Sequence, residues 1–324
     1  LVLILKFKNS SEDHNISIFV ASLIMLSPFF RTTSYWGLEE NYGLIFLIIS
    51  YFFLNKFIKF KNRELINIKN IFFICFFSSL TFYFDQKLII IPLICFTYIL
   101  LISKSNYEKL FSIIIYSLLA IPYLFLIKVW GGLLPPSASN RMLTLETVNI
   151  GYTISIIAFY IFPFFVSKKV SINSLISFFK SRSNFILIIF LIIYLIIFFL
   201  FYDSSNKWIS GNGVFYKVSN IIFSEFLHQK IFLMLIIFFS SLILLFFFET
   251  LHDRLIILFF ILLSLVVTPV YQEYLDPLIL IMIFTFFKKK IYLNFKQSLF
   301  VYSYFLIFLI SANFYYYTGL GKFY

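Results

Sequence analysis

Eleven apolar runs punctuate the chain: 16–30, 42–54, 71–84, 88–102, 110–127, 151–166, 185–202, 231–248, 255–270, 277–287 and 298–317. None holds a charged residue. Runs that are apolar on every side, rather than striped at a period of 3.6, belong to helices surrounded by hydrocarbon or protein. The pattern predicts an all-α chain: a polytopic transmembrane helix bundle of about eleven spans with one or two interfacial helices. Several runs are shorter than the roughly 20 residues that cross about 30 Å of hydrocarbon. Flanking Tyr, Trp, Ser and Asn complete some of them, and others are buried or re-entrant.

The polar positions between the runs sort by charge. Numbering the connections alternately, one set holds 18 Lys/Arg and 6 Asp/Glu, the other 8 and 8. All of the +12 net charge therefore falls on one side. The positive-inside rule makes the first set cytoplasmic, which predicts an integral protein of a bacterial inner membrane with its basic loops inward. The whole chain, 1–324, reads as one transmembrane domain.

Composition adds one exclusion. With 61% hydrophobic and 12% charged residues, the chain lies far from the roughly 25% charge of soluble domains. Its excess of Lys and Arg is dispersed along cytoplasmic loops, as expected of anchors for anionic headgroups, so nucleic acid is not an expected partner. Cys75 and Cys95 lie inside apolar runs, where a free thiol acts as a small hydrophobe. His14, His228 and His252 are scattered, without metal-ligand spacing. The chain begins with Leu, and Leu1–Leu5 before Lys6 reads as the last turns of an earlier helix, so further upstream helices are expected.

The cytoplasmic side is plain. Lys56, Lys59, Lys61, Arg63 and Lys69 crowd one loop, and Lys288, Lys289, Lys290 and Lys296 another. Residues 170–182 carry Ile172, Leu175, Ile176 and Phe179 between basic residues, the spacing of a short helix lying in the inner interface.

The outer side holds the candidate chemistry. In Ser27–Tyr42, Arg31 leaves one run while Glu39, Glu40 and Asn41 precede the next, around Trp36. The carboxylates also suit the positive end of a helix. In the turn 85–87, Lys87 runs against the charge bias and either pairs with Asp85 or meets a phosphate. The stiff Gly-Gly/Pro-Pro loop 130–141 ends in Arg141, suited to bidentate contact with phosphate or carboxylate. A fourth stretch, 268–277, gathers Gln272, Glu273 and Asp276 among tyrosines, groups that commonly meet sugar hydroxyls. The longest outer loop, 203–230, carries Val214, Phe215, Val218, Ile221, Ile222 and Phe226 at helical spacing, which predicts a helix flat on the outer surface.

This order of features resembles the GT-C superfamily of membrane glycosyltransferases, which use polyprenyl-phosphate-linked sugars. The resemblance rests on Arg31, Tyr35-Trp36 and Glu39-Glu40, and on Phe84-Asp85-Gln86-Lys87-Leu88-Ile89. The latter is similar to a Phe-Arg-Gln-Thr-Asn-Ile-like segment of lumenal glucosyltransferases, with Asp85 where that segment has Arg. The resemblance implies a helix bundle that moves a sugar from a polyprenyl-phosphate donor to a glycan or lipid acceptor at the outer face. It implies a catalytic carboxylate in the first outer loop, upstream of Leu1, with Glu39 and Glu40 as the candidates present. These two would bind acceptor or a divalent cation, the one candidate cofactor. Arg31, Lys87 and Arg141 would hold the lipid phosphate. Trp36, Asn41, Asp85, Gln86, Gln272, Glu273 and Asp276 would meet sugar or acceptor. A lipid or sugar transporter, a flippase and a non-catalytic membrane subunit are the competing classes. No charge falls inside a run and no repeat relates the halves, which counts against proton-coupled transport.

Overall fold

In a computed structural model of the chain, the described residues are 21–60, 67–132, 145–167, 177–202, 211–266, 270–287 and 293–318. They are mostly helical, with no strand among them. Each apolar run contains helix where it is described. Among the described residues, six helices are long and apolar enough to cross a membrane, which marks the chain as an integral membrane protein. The described parts of the remaining runs fall on shorter helices and turns.

The chain divides into two compact units, Thr32–Met142 and Leu1–Arg31 with Leu143–Tyr324. Helix α1, Pro28–Trp36, runs through the boundary. The first unit then contains α2 (Glu40–Phe60), α3 (Ile68–Phe84), a 3-10 turn (Gln86–Ile89), α4 (Ile90–Ile102) and α5 (Asn106–Trp130). Close approach of α2 to α3 is permitted by Gly43, where a Cβ would lie 2.5 Å from Leu88 Cδ1 and 3.3 Å from the Thr81 carbonyl. Small residues at such crossings are the usual means of packing helices in lipid, where apolar attraction between helices is weak. Below that crossing the rings of Phe46, Phe53, Phe73, Phe77 and Phe84 stack between the two helices at centroid distances of 4.7 to 6.1 Å. Each aromatic pair contributes about 0.5–1.5 kcal/mol beyond its area. Helix α5 shows the end signals in full. The Ser105 hydroxyl accepts from the Tyr107 N–H at its start, and Gly131 closes it in the left-handed region at φ 72°.

The second unit contains α6 (Val148–Ser167), α7 (Arg182–Phe201), α8 (Gly213–Ile222), α9 (Phe226–Phe247), α10 (Leu251–Ser264), α11 (Leu278–Phe284) and α12 (Phe295–Tyr317). Helix α6 is its core, buried almost without interruption from Gly151 to Ile161. It packs against α9 through Gly151, whose Cβ would meet Ile237 at 2.5 Å. Against α12 it packs through Phe159, Tyr160 and Phe164, which face Tyr304, Phe305 and Phe308. A capping box of Asn294 and Gln297 starts α12.

The helix expected within 203–230 is α8, and its packed side differs from the expected one. Gly213, Tyr216 and Ser219 are buried, while Ile221 and Ile222 are exposed. Its start is drawn inward by the Asn212 N–H, which donates to the Val270 carbonyl at 2.6 Å, and by Gly213. At φ 81°, Gly213 sits where a side chain is strained, and a Cβ there would lie 2.6 Å from Ile156. Gly213→Ala should therefore lower the unfolding free energy by about 1–3 kcal/mol, read as a reduced melting temperature of the purified protein in detergent. Of the inner interfacial segment 170–182, residues 170–176 lie outside the described residues, and Ser177–Lys180 are helical.

Candidate functional site

Most hydroxyls inside the helices satisfy themselves. Ser50, Ser155, Ser241 and Ser264 each donate to a carbonyl three or four residues earlier in their own helix, the local back-bond open to Ser and Thr. Such groups carry no site. The informative side chains are those that reach between elements, and two clusters of them contain residues the sequence singled out, one in each unit.

The first cluster is Glu40, Asp85 and Lys87. Glu40 opens α2, where its charge suits the positive end of the helix. Asp85 closes α3, its N–H donating to the Thr81 carbonyl at 3.1 Å. Its carboxylate accepts the Lys87 N–H at 3.0 Å and so starts the 3-10 turn. This turn folds Lys87 back over both acids. The ammonium contacts Glu40 Oε1 and stands 3.4 Å from Asp85 Oδ2. The three side chains are 25%, 11% and 26% exposed for Glu40, Asp85 and Lys87. Burial raises the Asp85 pKa above its ordinary value, Lys87 opposes that shift, and repulsion from Glu40 adds to it. The trio carries a net charge of minus one when all are ionised, so Lys87 has no surplus charge for a phosphate. Its geometry is that of a residue fixing a carboxylate.

The other candidates from the sequence are less enclosed than this trio or lie elsewhere. Asn41 accepts from the Thr33 hydroxyl at 3.4 Å. Trp36 is 70% exposed and stands edge-on to Tyr35 at 5.4 Å. Glu39 is exposed and Gln86 half-buried. Arg31 is exposed at the end of the other unit's first segment, and Arg141 lies outside the described residues.

The second cluster comes from residues 270–277, between α10 and α11. Gln272 and Asp276 are buried, at 5% and 1% exposure, rather than presented at an interface. The Gln272 amide donates to the Tyr160 hydroxyl at 3.0 Å. Both Asp276 oxygens are sealed and accept no hydrogen bond of good geometry. The Ser27 hydroxyl, the Tyr160 hydroxyl and the Phe29 N–H lie near enough to favour its ionised form, while burial acts more strongly the other way. Glu273 is exposed and acts electrostatically on Lys217 of α8, whose pKa is lowered by burial. Lys217 also stands over the Tyr315 ring at 5.0 Å.

Sequence reasoning missed Tyr160, because a tyrosine inside an apolar run carries no signal of its partner 112 positions away. It also missed a structural hub at Arg254. That guanidinium donates to the Phe248 carbonyl and to Asn184 Oδ1, both at 2.9 Å, and Asn184 donates to the Phe178 carbonyl at 3.1 Å. Among the described residues, no group of three or more His, Cys, Asp or Glu is placed to hold a metal ion. Cys75 and Cys95 are buried and free. No protein-family model, curated protein or solved structure matches the chain.

Proposed function

We propose that the protein is a membrane glycosyltransferase, moving a sugar from a polyprenyl-phosphate donor to a glycan or lipid acceptor at the outer membrane face. The observation that carries this reading is the trio of Glu40, Asp85 and Lys87. On the charge-sorted topology, these residues lie on outer connections, where a lipid-linked donor arrives laterally from the bilayer. Glu40 is part-exposed and held by Lys87, the arrangement of a carboxylate aimed at an acceptor hydroxyl. A base in that position removes the hydroxyl proton as the oxygen attacks the anomeric carbon and the lipid phosphate leaves. Asp85, more deeply set, fixes Lys87 through the turn. Exposed Trp36 and half-buried Asn41 and Gln86 supply aromatic and amide surface for sugar or acceptor. The test is transfer by membranes carrying the protein, offered radiolabelled polyprenyl-phosphate sugars. Transfer that Glu40→Gln abolishes supports the reading. No transfer from any donor, with the protein folded and inserted, overturns it.

Transport is the second reading, and one observation favours it. Asp276 lies beside Tyr160, the thirteenth residue of α6, about 18 Å along that helix at 1.5 Å per residue. A carboxylate at that depth, on a chain interrupted between α10 and the seven-residue α11, has the layout of transporter sites. Uptake of polyprenyl-phosphate sugar into proteoliposomes without transfer would favour it over catalysis.

A further inference from the structure

The 270–277 segment places an acid where neither water nor a well-made hydrogen bond reaches it. Asp276 is 1% exposed and both of its oxygens are sealed. Leaving an ionised carboxylate in such a place costs several kcal/mol, and the usual outcome is that the group takes up a proton instead. We propose that Asp276 is a proton-binding site and the latch of this segment. Neutral, it lets residues 270–277 lie sealed against Tyr160 and Ser27. Ionised, it draws the segment, with Gln272 and Glu273, towards water.

The surroundings fit a group that is exchanged rather than fixed. From α6 comes the Tyr160 hydroxyl, which already accepts from Gln272 and is therefore free to donate its own hydrogen. From the residue before α1 comes the Ser27 hydroxyl, itself buried, and from the first turn of α1 the Phe29 N–H at the positive end of the helix. Behind Tyr160 stands Tyr304 of α12. The charged pair in this neighbourhood, Lys217 of α8 and Glu273, act on each other. The nearby donors stabilise the ionised form enough that the proton is not held permanently. Burial keeps the Asp276 pKa above the ordinary carboxylate range. The segment holds a three-residue 3-10 turn, Gln272–Tyr274, and is not part of a long helix. The Asn212–Val270 and Gln272–Tyr160 hydrogen bonds tie it to α8 and α6. The inference holds independently of the reaction the protein performs.

The test is infrared difference spectroscopy of the purified protein between about pH 5 and pH 9, which reports protonated carboxyl groups above the ordinary carboxylate pKa of about 4. Wild type should show a protonated carboxyl that titrates away in this range, and Asp276→Asn should lack it. Tyr160→Phe, which keeps the acid and removes one donor, should move the midpoint to higher pH. This variant also decides the matter if Asp276→Asn fails to fold. The linked stability has a definite sign. A carboxyl whose folded pKa lies above its unfolded value stabilises the fold fully below the unfolded pKa, and that contribution is lost as pH rises through the folded one. The melting temperature of wild type should therefore fall over that interval relative to Asp276→Asn. No protonated carboxyl above pH 5, a signal unchanged in Asp276→Asn, or a midpoint unmoved in Tyr160→Phe would overturn the proposal.

Discussion

Glu40→Gln is expected to lower sugar transfer by on the order of 10²–10⁴-fold, the range for loss of a positioned general base. The loss should fall on kcat, because Gln keeps the shape and hydrogen-bonding oxygen of the side chain and so keeps acceptor binding. Fold stability should change little. The Lys87 contact is about a quarter exposed on each partner, and exposed ion pairs contribute only about 0–1 kcal/mol. Glu39→Gln is the internal comparison. Glu39 precedes Glu40 in sequence but is exposed, so its loss should cost less than about tenfold. Initial rates on a radiolabelled donor, with melting temperatures measured beside them, separate the two effects. Equal losses at Glu39 and Glu40 would mean that the acids supply general negative charge and that Glu40 is not the base.

Lys87→Met should give the second large effect, and it should appear in both activity and stability. Removing the ammonium leaves Glu40 and Asp85 as neighbouring acids with no cation between them. Asp85 is already raised by burial, with Lys87 the main opposing influence, so its folded pKa rises further in the variant. Because that pKa then stands higher above the unfolded value, the folded state keeps its proton over a wider interval. Stability therefore falls more as pH rises from the acid range towards neutrality. A loss of roughly 1–3 kcal/mol at pH 7 is expected, the low side of what an unpaired buried charge costs, since the site is partly exposed. Adding Asp85→Asn should recover most of the stability, but not the transfer, since Glu40 still lacks the group that holds it. Thermal melts from about pH 5 to pH 9 on the single and double variants check the sign. A stability loss that is flat with pH would place the effect in packing of the lysine stem instead.

Legibility in the sequence varied with the range of the interaction. The helices were legible because an apolar run reports its own surroundings: every run contains helix where it is described. Their lengths were less so. The run 255–270 reads as one span, yet its helix stops at Ser264, and 277–287 holds only the seven residues of α11. Whether a run is completed depends on what its ends pack against, which the run does not contain. The pairing of Lys87 with Asp85 was legible, since two residues in one turn have few other choices, whereas its contact with Glu40, 47 positions earlier, was not. For Gln272 and Asp276 the sequence shows polar groups in a short connection, which suggests an interface. The structure buries both, Gln272 with the Tyr160 hydroxyl as its partner and Asp276 without a well-made hydrogen bond.

By itself the sequence determined that this chain is helical and apolar enough to live in a membrane, that its charge sorts to one set of loops, and where its few polar clusters lie. Those properties are local: hydropathy, helix ends and loop charge are read from neighbouring residues. Only the tertiary structure decided that Glu40 and Lys87 meet, that α8 turns Gly213, Tyr216 and Ser219 inward, and that Asp276 is sealed beside Tyr160. Each of these depends on helices distant in the chain arriving side by side. Their approach is set by small residues such as Gly43, Gly151 and Gly213 and by the fit of aromatic rings, and a one-dimensional pattern of hydropathy does not encode which surfaces fit.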